Sequence, residues 1–383
     1  MENIAGRKAG VVWAVHVAVA AMVLLWLIPT VGLFVSSFRD RDQISQSGWW
    51  VTPLPVELTF RTRVAADGQR EVDGGFVIVT SAFDDASLAN WFPDGTGQVT
   101  RFGTRGAAPA EFAAGEVVDL RGDGTVSIAA DGQIQLRSGT AFDRPVTLYF
   151  EARVPPRITT NNYRTVLSAD GMDRAFINTF TVAIPATIIP ILIAAFAAYA
   201  LAWMDFRGRG LLIACVVGLL VVPLQLALVP LLNLHNQIGI GQSFLGIWLA
   251  HTGFGLPLAI YLLRNYMVGL PRDIIESARV DGATDFQIFT RIVLPLSFPA
   301  LAAFAIFQFL WTWNDLLVAK VFLPAGADTQ VMTVKIADDL LGSRGGDWGI
   351  LAGAAFVSLA VPLVVFFTMQ RYLVRGLLAG SVK

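Results

Sequence analysis

Long apolar stretches constrain this sequence more than any other feature. A helix needs about 20 apolar residues to cross the hydrocarbon core of a membrane, and six segments of the chain meet that requirement. They are residues 11–38, 175–204, 211–232, 244–263, 296–323 and 350–372. Hydrophobic residues make up 55% of the 383 residues and charged residues only 15%, which is outside the range of a soluble globule of this size. The sequence therefore predicts an all-α polytopic membrane protein with six transmembrane helices.

The first apolar stretch, residues 11–38, is interpreted as a retained membrane anchor. Arg7 and Lys8 precede it, as basic residues also precede a signal peptide. The stretch is too long for a signal peptide, however, and residues 35–39 offer no convincing cleavage site flanked by small residues. We therefore expect a cytoplasmic N-terminus at residues 1–10 and a membrane-spanning helix at 11–38.

Basic residues in the short loops predict the orientation of the chain, because Lys and Arg accumulate on the cytoplasmic side of a membrane. On one side of the six spans lie eleven such residues, namely Arg7, Lys8, Arg207, Arg209, Arg264, Arg272, Arg279, Arg291, Arg371, Arg375 and Lys383. The short loops of the opposite side hold three, namely Lys320, Lys335 and Arg344. Both termini, including the tail at residues 373–383, are therefore expected in the cytoplasm of a cell with this protein in its inner (plasma) membrane.

Residues 39–174 differ in character and predict an inserted, β-rich extracytoplasmic domain. Apolar and polar residues alternate there as in half-buried strands. The pattern is found at residues 75–79, 125–128 and 146–150. Asp123-Gly124 and Asp131-Gly132 lie between such runs and favour tight hairpin turns, because glycine accepts a positive φ. Two roles stay open for the domain, a stabilising insertion or a dock for an extracytoplasmic partner.

A short helix–turn–helix is predicted for residues 270–295, on the cytoplasmic side of the helical core at residues 175–372. Pro271 suits the first turn of a helix, where the backbone N–H groups have no intrahelical partner. Gly282 can end that helix in the left-handed conformation. Thr284 and Gln287 have the spacing of a capping box, which opens a second helix.

Apolar side chains of this segment suggest a contact with another surface. Ile274, Ile275 and Ala278 are predicted to share one face of the first helix. Neither lipid nor water favours leaving such a face bare, and it suits insertion into the groove of a partner protein. Packing beneath the chain's own helices is the alternative, and the residues alone do not decide between the two.

The same segment resembles the loop shared by permeases of ATP-binding-cassette importers. That loop has the pattern E-A-A, three residues, G, nine residues, I, one residue, L-P, and here only Ser277 departs from it, replacing the middle alanine with another small residue. The resemblance implies that the first helix docks into a partner ATPase and couples nucleotide-driven closure to the membrane helices. The coupling residues it implies are Glu276, Ser277, Ala278, Asp281, Gly282, Ala283, Ile292 and Pro295.

The resemblance extends over residues 175–383, which are similar to the smaller permease subunit of maltose-type transporters. The motifs that carry it are Ala197-Ala198-Tyr199-Ala200-Leu201-Ala202 with Phe206 and Gly208, Trp313-Asn314-Asp315, and residues 370–377 with Gly380. Residues 39–174 are not standard for that subunit but resemble the enlarged form among α-glucoside transport permeases. The resemblance implies import of a sugar, such as an α-glucoside, by alternating access. It also implies three partners, namely ATPase subunits, a second permease and an extracytoplasmic sugar-binding protein.

The chain is not expected to be an enzyme or to hold a cofactor of its own. Lys8, Lys320, Lys335 and Lys383 are its lysines, and none follows a glycine, so the phosphate-binding G-x-x-x-x-G-K-[S/T] loop is absent. ATP is therefore expected to be used by a partner subunit. The net charge of −1 provides no basic footprint for nucleic acid, and the three histidines are too scattered to predict a metal site.

Three polar residues within the predicted spans are candidates for the substrate path. Asn314 and Asp315 lie in the fifth span, where polar side chains are costly and usually face the interior or a cavity. Gln225 lies between Pro223 and Pro230 in the third span, where a kink frees backbone carbonyls. An interhelical hydrogen bond or a position at the membrane interface is the alternative for Asn314 and Asp315.

Two other classes of function compete with the importer permease. An ion-driven secondary transporter would be expected to have buried carboxylates or broken helices in duplicated halves, whereas the spans offer mainly Asp315 and no evident repeat. A sensor with the β-rich domain as its receptor would not need six spans. Neither rival accounts for the helix–turn–helix at residues 270–295.

Overall fold

The structure is a computed structural model that describes residues 9–120, 122–340 and 347–379. Of the residues used in the sequence analysis, Arg7, Lys8, Arg344, Gly380 and Lys383 lie outside the described residues. The chain forms two compact units, Met1–Asn161 and Asn162–Lys383.

The first unit begins with one long helix, α1 (Ala9–Ser37), and a short one, α2 (Arg41–Gln46). Single 3₁₀ turns lie at Trp49–Val51 and Ala86–Leu88. Its described residues also form nine strands, namely β1 (Val56–Val64), β2 (Arg70–Val72), β3 (Gly75–Ser81), β4 (Gln98–Gly103), β5 (Phe112–Ala113), β6 (Val118–Asp119), β7 (Thr125–Ile128), β8 (Gln133–Ser138) and β9 (Val146–Val154). The three alternating runs noted in the sequence lie in β3, β7 and β9.

These strands form two antiparallel sheets, ordered β1-β9-β4-β5 and β2-β3-β8-β7-β6. Buried side chains alternate with more exposed ones along β1, β8 and β9, as expected where one face of a sheet is covered. Leu136 of one sheet and Phe150 of the other belong to the same buried core. The ring of Phe150 lies 5.6 Å from that of Phe60 and 5.7 Å from that of Phe83. The strands therefore form a β-sandwich with an aromatic centre.

Hairpin turns in the sandwich use residues that tolerate a positive φ. Gly124 and Gly132 have φ values of 141° and 86°, in the two turns that the sequence predicts. A third turn, which the sequence analysis did not identify, joins β2 to β3 through Asp73-Gly74. Its two residues have φ values of 52° and 78°, as a two-residue type I′ hairpin turn requires.

Arg39 and Gln43 make hydrogen bonds next to the sandwich. The guanidinium of Arg39, two residues after the end of α1, donates to the carbonyl oxygens of Gln43 and Ser47, each at 3.0 Å. The Gln43 side chain donates to the carbonyl oxygen of Pro155 (3.1 Å) and accepts from the backbone N–H of Arg157 (3.4 Å). The segment before the first strand is thereby fastened to the segment after the last one.

Among its described residues, the second unit consists of helices joined by turns and loops. Its helices are α3 (Asn161–Leu167), α4 (Met172–Trp203), α5 (Arg209–Leu219), α6 (Leu224–Gln237), α7 (Phe244–Val268), α8 (Arg272–Val280), α9 (Asp285–Ile288), α10 (Leu294–Leu296), α11 (Phe298–Trp313), α12 (Leu317–Phe322), α13 (Met332–Lys335) and α14 (Trp348–Ala379). Two π-helical turns lie at Phe289–Val293 and Ile336–Leu340.

Four of the described helices are long and apolar enough to cross a membrane, namely α1, α4, α7 and α14. Two bent pairs also qualify, which makes six if each pair is one span. α5 and α6 meet at 108°, and the segment Asp285–Leu296 meets α11 at 69°. The sequence predicted the third and fifth spans as continuous helices. In the structure each of them is interrupted. Pro223 has no backbone N–H and interrupts the third, while residues 314–316 separate α11 from α12.

Hydrogen bonds from two tryptophans give the relative direction of α4 and α7. Trp203 Nε1, at the last residue of α4, donates to the carbonyl oxygen of Met267 near the end of α7 (3.1 Å). Trp248 Nε1, near the start of α7, donates to the carbonyl oxygen of Thr181 in the first part of α4 (2.9 Å). The two helices therefore run parallel, and the α5–α6 pair returns the chain from one end of the bundle to the other.

α11 runs in the opposite direction to α7. The hydroxyl of Tyr266, late in α7, donates to the carbonyl oxygen of Leu296, just before α11 begins (3.2 Å). Farther along α11, Gln308 Nε2 donates to the carbonyl oxygen of His251, in the first half of α7 (3.4 Å). The bent pair that ends with α11 therefore crosses the bundle again.

α14 runs opposite to α11 and completes the arrangement. The ring of Phe298, at the start of α11, lies 5.4 Å from the ring of Tyr372, late in α14. Trp313 Nε1, at the end of α11, donates to the carbonyl oxygen of Ser358, in the first half of α14 (2.9 Å). One end of the bundle, called the loop end below, thus holds the last residues of α4, α7 and α14 together with residues 270–297.

Loss of core volume is expected to destabilise the sandwich. Leu136→Ala removes a fully buried side chain and should cost about 2–5 kcal/mol. Val79→Ala, on the exposed face of the neighbouring strand, should cost less than about 1 kcal/mol. Native-state proteolysis of the full chain measures both values. Equal losses for the two variants would contradict the assignment of the core.

Candidate functional site

The first helix of the segment at residues 270–295 ends as the sequence predicts. Gly282 has a φ of 82°, and its N–H donates to the carbonyl oxygen of Arg279 (3.0 Å). The N–H of Ala283 donates to the carbonyl oxygen of Ala278 (3.0 Å). These two bonds form a Schellman motif, which satisfies carbonyls at the end of α8. Pro271 lies at the N-cap of α8, one residue before the first helical turn.

The predicted capping box at the start of α9 is also confirmed. The Thr284 hydroxyl accepts from the N–H of Gln287 (3.3 Å), and the Gln287 side chain accepts from the N–H of Thr284 (2.9 Å). The turn between α8 and α9 is therefore held at both sides by hydrogen bonds within the segment. It is a preformed structural element with a defined backbone geometry.

One side of the segment packs onto the helical bundle. Ile275, Ile288 and Phe289 are buried and share a core with α4 and α7. The Phe289 ring lies 4.7 Å from that of Phe196 in α4. Ile275 is 1% exposed, whereas Ile274 is 42% exposed. The expectation that Ile274 shares the face of Ile275 and Ala278 is wrong, because successive helical residues point about 100° apart.

The other side of the segment is exposed. Val280 is 87% exposed and Phe286 is 65% exposed, and a side chain at Gly282 would meet no atom within 4 Å. Of the predicted coupling residues, three are half-buried and pack on the bundle core, namely Ala278, Ala283 and Ile292. Five are exposed, namely Glu276, Ser277, Asp281, Gly282 and Pro295. Packing beneath the chain's own helices therefore describes one side of the segment, while the other side is exposed.

A polar contact joins the turn to the end of α4. The carboxylate of Asp285 accepts from the hydroxyl of Tyr199 (3.2 Å) and from the guanidinium of Arg279 (3.4 Å). The same guanidinium donates to the carbonyl oxygen of Trp203 (3.1 Å). The Arg279–Asp285 ion pair is about half exposed and contributes only about 0–1 kcal/mol. Its geometry matters more, because it bridges the two helices of the loop and α4.

The sequence analysis did not identify Arg279 and Asp285 as contact residues. They lie six positions apart on either side of a turn, and this spacing has no helical meaning. Tyr199 appeared within a resembling motif but without a role. Only the packing of the loop against α4 brings the three side chains together.

Asn314 and Asp315, two of the predicted path residues, occupy the break between α11 and α12. Asn314 is exposed, and its amide donates to the carbonyl oxygen of Leu310 in its own helix (2.9 Å). The Asp315 carboxylate accepts from the N–H of Val318 (3.0 Å) in the first turn of α12. Both side chains therefore terminate or begin a helix. Gln225 is exposed in the first turn of α6 and makes no hydrogen bond within the described part of the chain.

Asp315 also borders a buried polar cluster that the sequence analysis missed. His251 is fully buried, and its Nε2 lies 3.7 Å from a carboxylate oxygen of Asp315. Gln308 is also fully buried, and its amide donates to the carbonyl oxygens of Ala186 (3.2 Å) and His251 (3.4 Å). Among the described residues, both ring nitrogens of His251, Gln308 Oε1 and Thr312 Oγ1 lack a hydrogen-bond partner. The sequence did contain a signal for this cluster, because His251 is an ionisable residue within the predicted span at 244–263. Ionisable residues within membrane spans usually have a function.

A family match covers most of the second unit. The family described as "Binding-protein-dependent transport system inner membrane component" matches residues 175–378. The alpha-glucoside transport system permease protein AglG of Rhizobium meliloti is 55% identical over 385 positions, which cover 98% of this chain and 98% of that protein.

Two further similarities cover different shares of the chain. The osmoprotective compounds uptake permease protein GgtD of Synechocystis sp. is 41% identical over 370 positions, covering 96% of this chain and 91% of that protein. A chain from the crystal structure of a bacterial ABC transporter involved in the import of the acidic polysaccharide alginate has a TM-score of 0.49 and 23% identity. That similarity covers 57% of this chain and 81% of the solved one.

Replacing Asp315 should separate its capping role from its charge. Asp315→Ala removes the acceptor for the N–H of Val318 and should lower stability by about 1 kcal/mol. Asp315→Asn keeps a side-chain acceptor and should remain close to wild type in stability. Thermal unfolding of the purified chain in detergent provides the measurement. If the asparagine variant loses as much stability as the alanine variant, the contact with His251 rather than the cap is responsible.

Proposed function

This chain belongs to the family of binding-protein-dependent transport system inner membrane components, and we propose that it is the permease subunit through which an ATP-binding-cassette importer carries a neutral oligosaccharide into the cytoplasm. The observation that carries the proposal is the 55% identity to an alpha-glucoside permease, which extends over 98% of both chains. Similarity of that extent includes both compact units of this chain. An α-glucoside is therefore the substrate class we assign.

In this proposal the loop end of the bundle faces the cytoplasm and the β-sandwich is extracytoplasmic. Each bent pair counts as one span, which gives six spans and places both termini in the cytoplasm. The parallel course of α4 and α7 supports this count, because it requires the chain to cross between them. The basic residues Arg272, Arg279 and Arg291 lie in the loop-end segment, as a cytoplasmic surface favours.

The exposed side of the loop receives the ATPase in this mechanism. Val280 and Phe286 supply apolar contact area that the described part of the chain leaves exposed, and burial of such side chains in a partner's groove is favourable. Glu276, Ser277 and Asp281 surround them with exposed polar groups. ATP hydrolysis takes place in the partner subunits, and this chain converts their closure into movement of helices.

α4 provides the path for that movement. It contacts Asp285 of the loop through Tyr199 at one end. At the other end, the Asn178 amide donates to the carbonyl oxygens of Asp328 (2.8 Å) and Gln330 (3.0 Å). A single helix of 32 residues, about 48 Å long at 1.5 Å per residue, thus joins the loop to the opposite end of the bundle. In this proposal, displacement of the loop therefore moves the extracytoplasmic segment that contains Asp328 and Gln330.

The sugar passes the breaks in the helices during alternating access. Asn314, Asp315 and Gln225 are the path residues in this proposal, and each stands at or next to a break. Backbone groups freed at such breaks are tolerated in a membrane where they line a polar cavity. A second permease completes the path, and an extracytoplasmic binding protein delivers the sugar.

Gly282 offers a test of the coupling geometry. Gly282→Val places a β-branched residue at a φ of 82°, which costs about 1–2 kcal/mol, and should abolish most of the transport. Gly282→Asn should transport nearly as well as wild type, because asparagine tolerates the left-handed conformation. No atom lies within 4 Å of the added side-chain carbon, so the pair isolates the backbone effect.

The measurement is ATP-driven uptake of radiolabelled maltose by vesicles that contain both permeases and the ATPase, with binding protein outside. Normal uptake and normal ATPase stimulation in Gly282→Val would contradict the coupling role. Failure of wild-type vesicles to accumulate maltose, trehalose or sucrose would contradict the proposed substrate class.

Phe286→Asp should weaken attachment of the ATPase. It replaces an exposed apolar ring with a charge, and the loss of a large buried apolar side chain at an interface costs about 1.5–3 kcal/mol, which is tenfold or more in affinity. Val117→Asp changes an exposed valine of the sandwich and should have no effect. Co-purification of the ATPase with the tagged permease measures both. Equal recovery with the two variants would remove Phe286 from the docking surface.

A further inference from the structure

The exposed face of the five-stranded sheet forms one wall of an open groove of about 810 Å³ in the first unit. This volume lies within the range of about 300–1,000 Å³ that is typical of small-molecule sites. Polar side chains line much of it, namely Asp73, Asp119, Asp123, Thr125, Gln135 and Arg137. Phe76 and two valines contribute apolar surface. The groove is separate from the loop and the path described above.

Strand register aligns the lining side chains in a row. Arg137 of β8 pairs with Val77 of β3 on one side and with Thr125 of β7 on the other. Thr125 in turn pairs with Asp119 of β6. Residues paired across strands point to the same face, so Arg137 and Asp119 share one face of the sheet with their backbones two strand spacings, about 10 Å, apart. A cationic donor and an anionic acceptor thus lie on one face of the sheet with Thr125 between them.

These side chains are available to a ligand. Within the described residues, the side chains of Asp119, Gln135 and Arg137 have no hydrogen-bond or ion-pair partner. Arg105 of the same unit, by contrast, donates to both carboxylate oxygens of Glu111 at 2.9 and 2.8 Å. A guanidinium offers five donors and an amide offers both donors and acceptors. The groove therefore presents hydrogen-bond donors and acceptors that have no partner among the described residues.

The turn at one end of the groove is held in place. The Ser138 hydroxyl donates to the carbonyl oxygen of Asp123 (2.9 Å) and accepts from the N–H of Thr140 (3.1 Å). A side-chain carbon at Gly124 would lie 2.5 Å from the carbonyl oxygen of Arg137, so only glycine permits this close approach. Asp123 is thereby fixed against β8, and a preformed site loses less entropy on binding.

The charge of the lining selects the class of ligand. Among the described lining residues, the aspartates Asp73, Asp119 and Asp123 outnumber Arg137, which disfavours an anion. The described residues contain no group of three or more His, Cys, Asp or Glu side chains that could hold a metal ion. Hydroxyl groups, each both donor and acceptor, match carboxylate, amide and guanidinium groups together. A neutral, hydroxyl-rich molecule fits this combination.

We propose that this groove binds a neutral oligosaccharide in the extracytoplasmic space, as a sugar site of the permease distinct from its membrane path. The proposal rests on the proposed function, which places the sandwich on the side from which the sugar arrives. Arg137 donates to sugar hydroxyls, Asp119 and Asp123 accept from them, and Gln135 does both. Val77, which shares the face of Arg137, supplies apolar contact.

The test uses the full-length permease in lipid nanodiscs without binding protein, with maltotriose as the probe. Saturation-transfer NMR titrations should show saturable binding. Arg137→Ala should weaken it at least tenfold, because charge-assisted hydrogen bonds are lost, and Gln135→Ala should weaken it several-fold. Arg63→Ala, an exposed arginine of β1 in the other sheet, should bind as wild type does. Unchanged thermal unfolding checks that each variant is folded.

The inference would be overturned if the wild type did not bind maltotriose. It would also be overturned if Arg137→Ala and Gln135→Ala bound maltotriose as tightly as the wild type. So would a loss of ATPase stimulation by binding protein in Arg137→Ala with intact maltotriose binding, since the groove would then contact a protein. Maltose uptake in the vesicle assay keeps the two proposals distinguishable. Uptake of maltose without binding in the groove would contradict only this inference. Binding in the groove without uptake of any α-glucoside would contradict the proposed function.

Discussion

The close, parallel packing of α4 on α7 is the interaction from which the rest of the helical unit follows. Ala194 and Ala198 of α4 are fully buried with Ala259 of α7, and small residues of this kind let helix backbones approach closely in a membrane. Because the two helices are parallel, the chain must cross between them, and the α5–α6 pair makes that crossing in spite of its bend. The same packing brings the ends of α4 and α7 together and creates the surface on which the loop is seated.

The loop combines a rigid interior with an exposed exterior. Its turn is determined by local backbone chemistry, the left-handed Gly282 and the capping box of Thr284. Its inner side is held by burial of Ile275 and by the carboxylate of Asp285, whereas Phe286 on its outer side remains exposed. A rigid element that is fixed on one side and open on the other can transmit a displacement without deforming.

In the β-sandwich, successive side chains of a strand point alternately into the core and onto the exposed face of the sheet. Leu136 faces the core, while its neighbours Gln135 and Arg137 line the groove. The core can therefore stay apolar while the exposed face varies in chemistry. Gln43, whose carbonyl oxygen accepts from the buried Arg39, joins the segment before the first strand to the segment after the last one.

The sequence alone determined features that depend on a few neighbouring residues. The apolar stretches, Gly282, the capping box and the strands at 75–79 follow from side-chain periodicity and local hydrogen bonding, which need no distant partner. Only the tertiary structure decided the rest. It separated Ile275 from Ile274, broke the fifth predicted span at Asp315, and set His251 beside that carboxylate. These outcomes depend on contacts between residues far apart in the chain, whose free energies no local pattern contains.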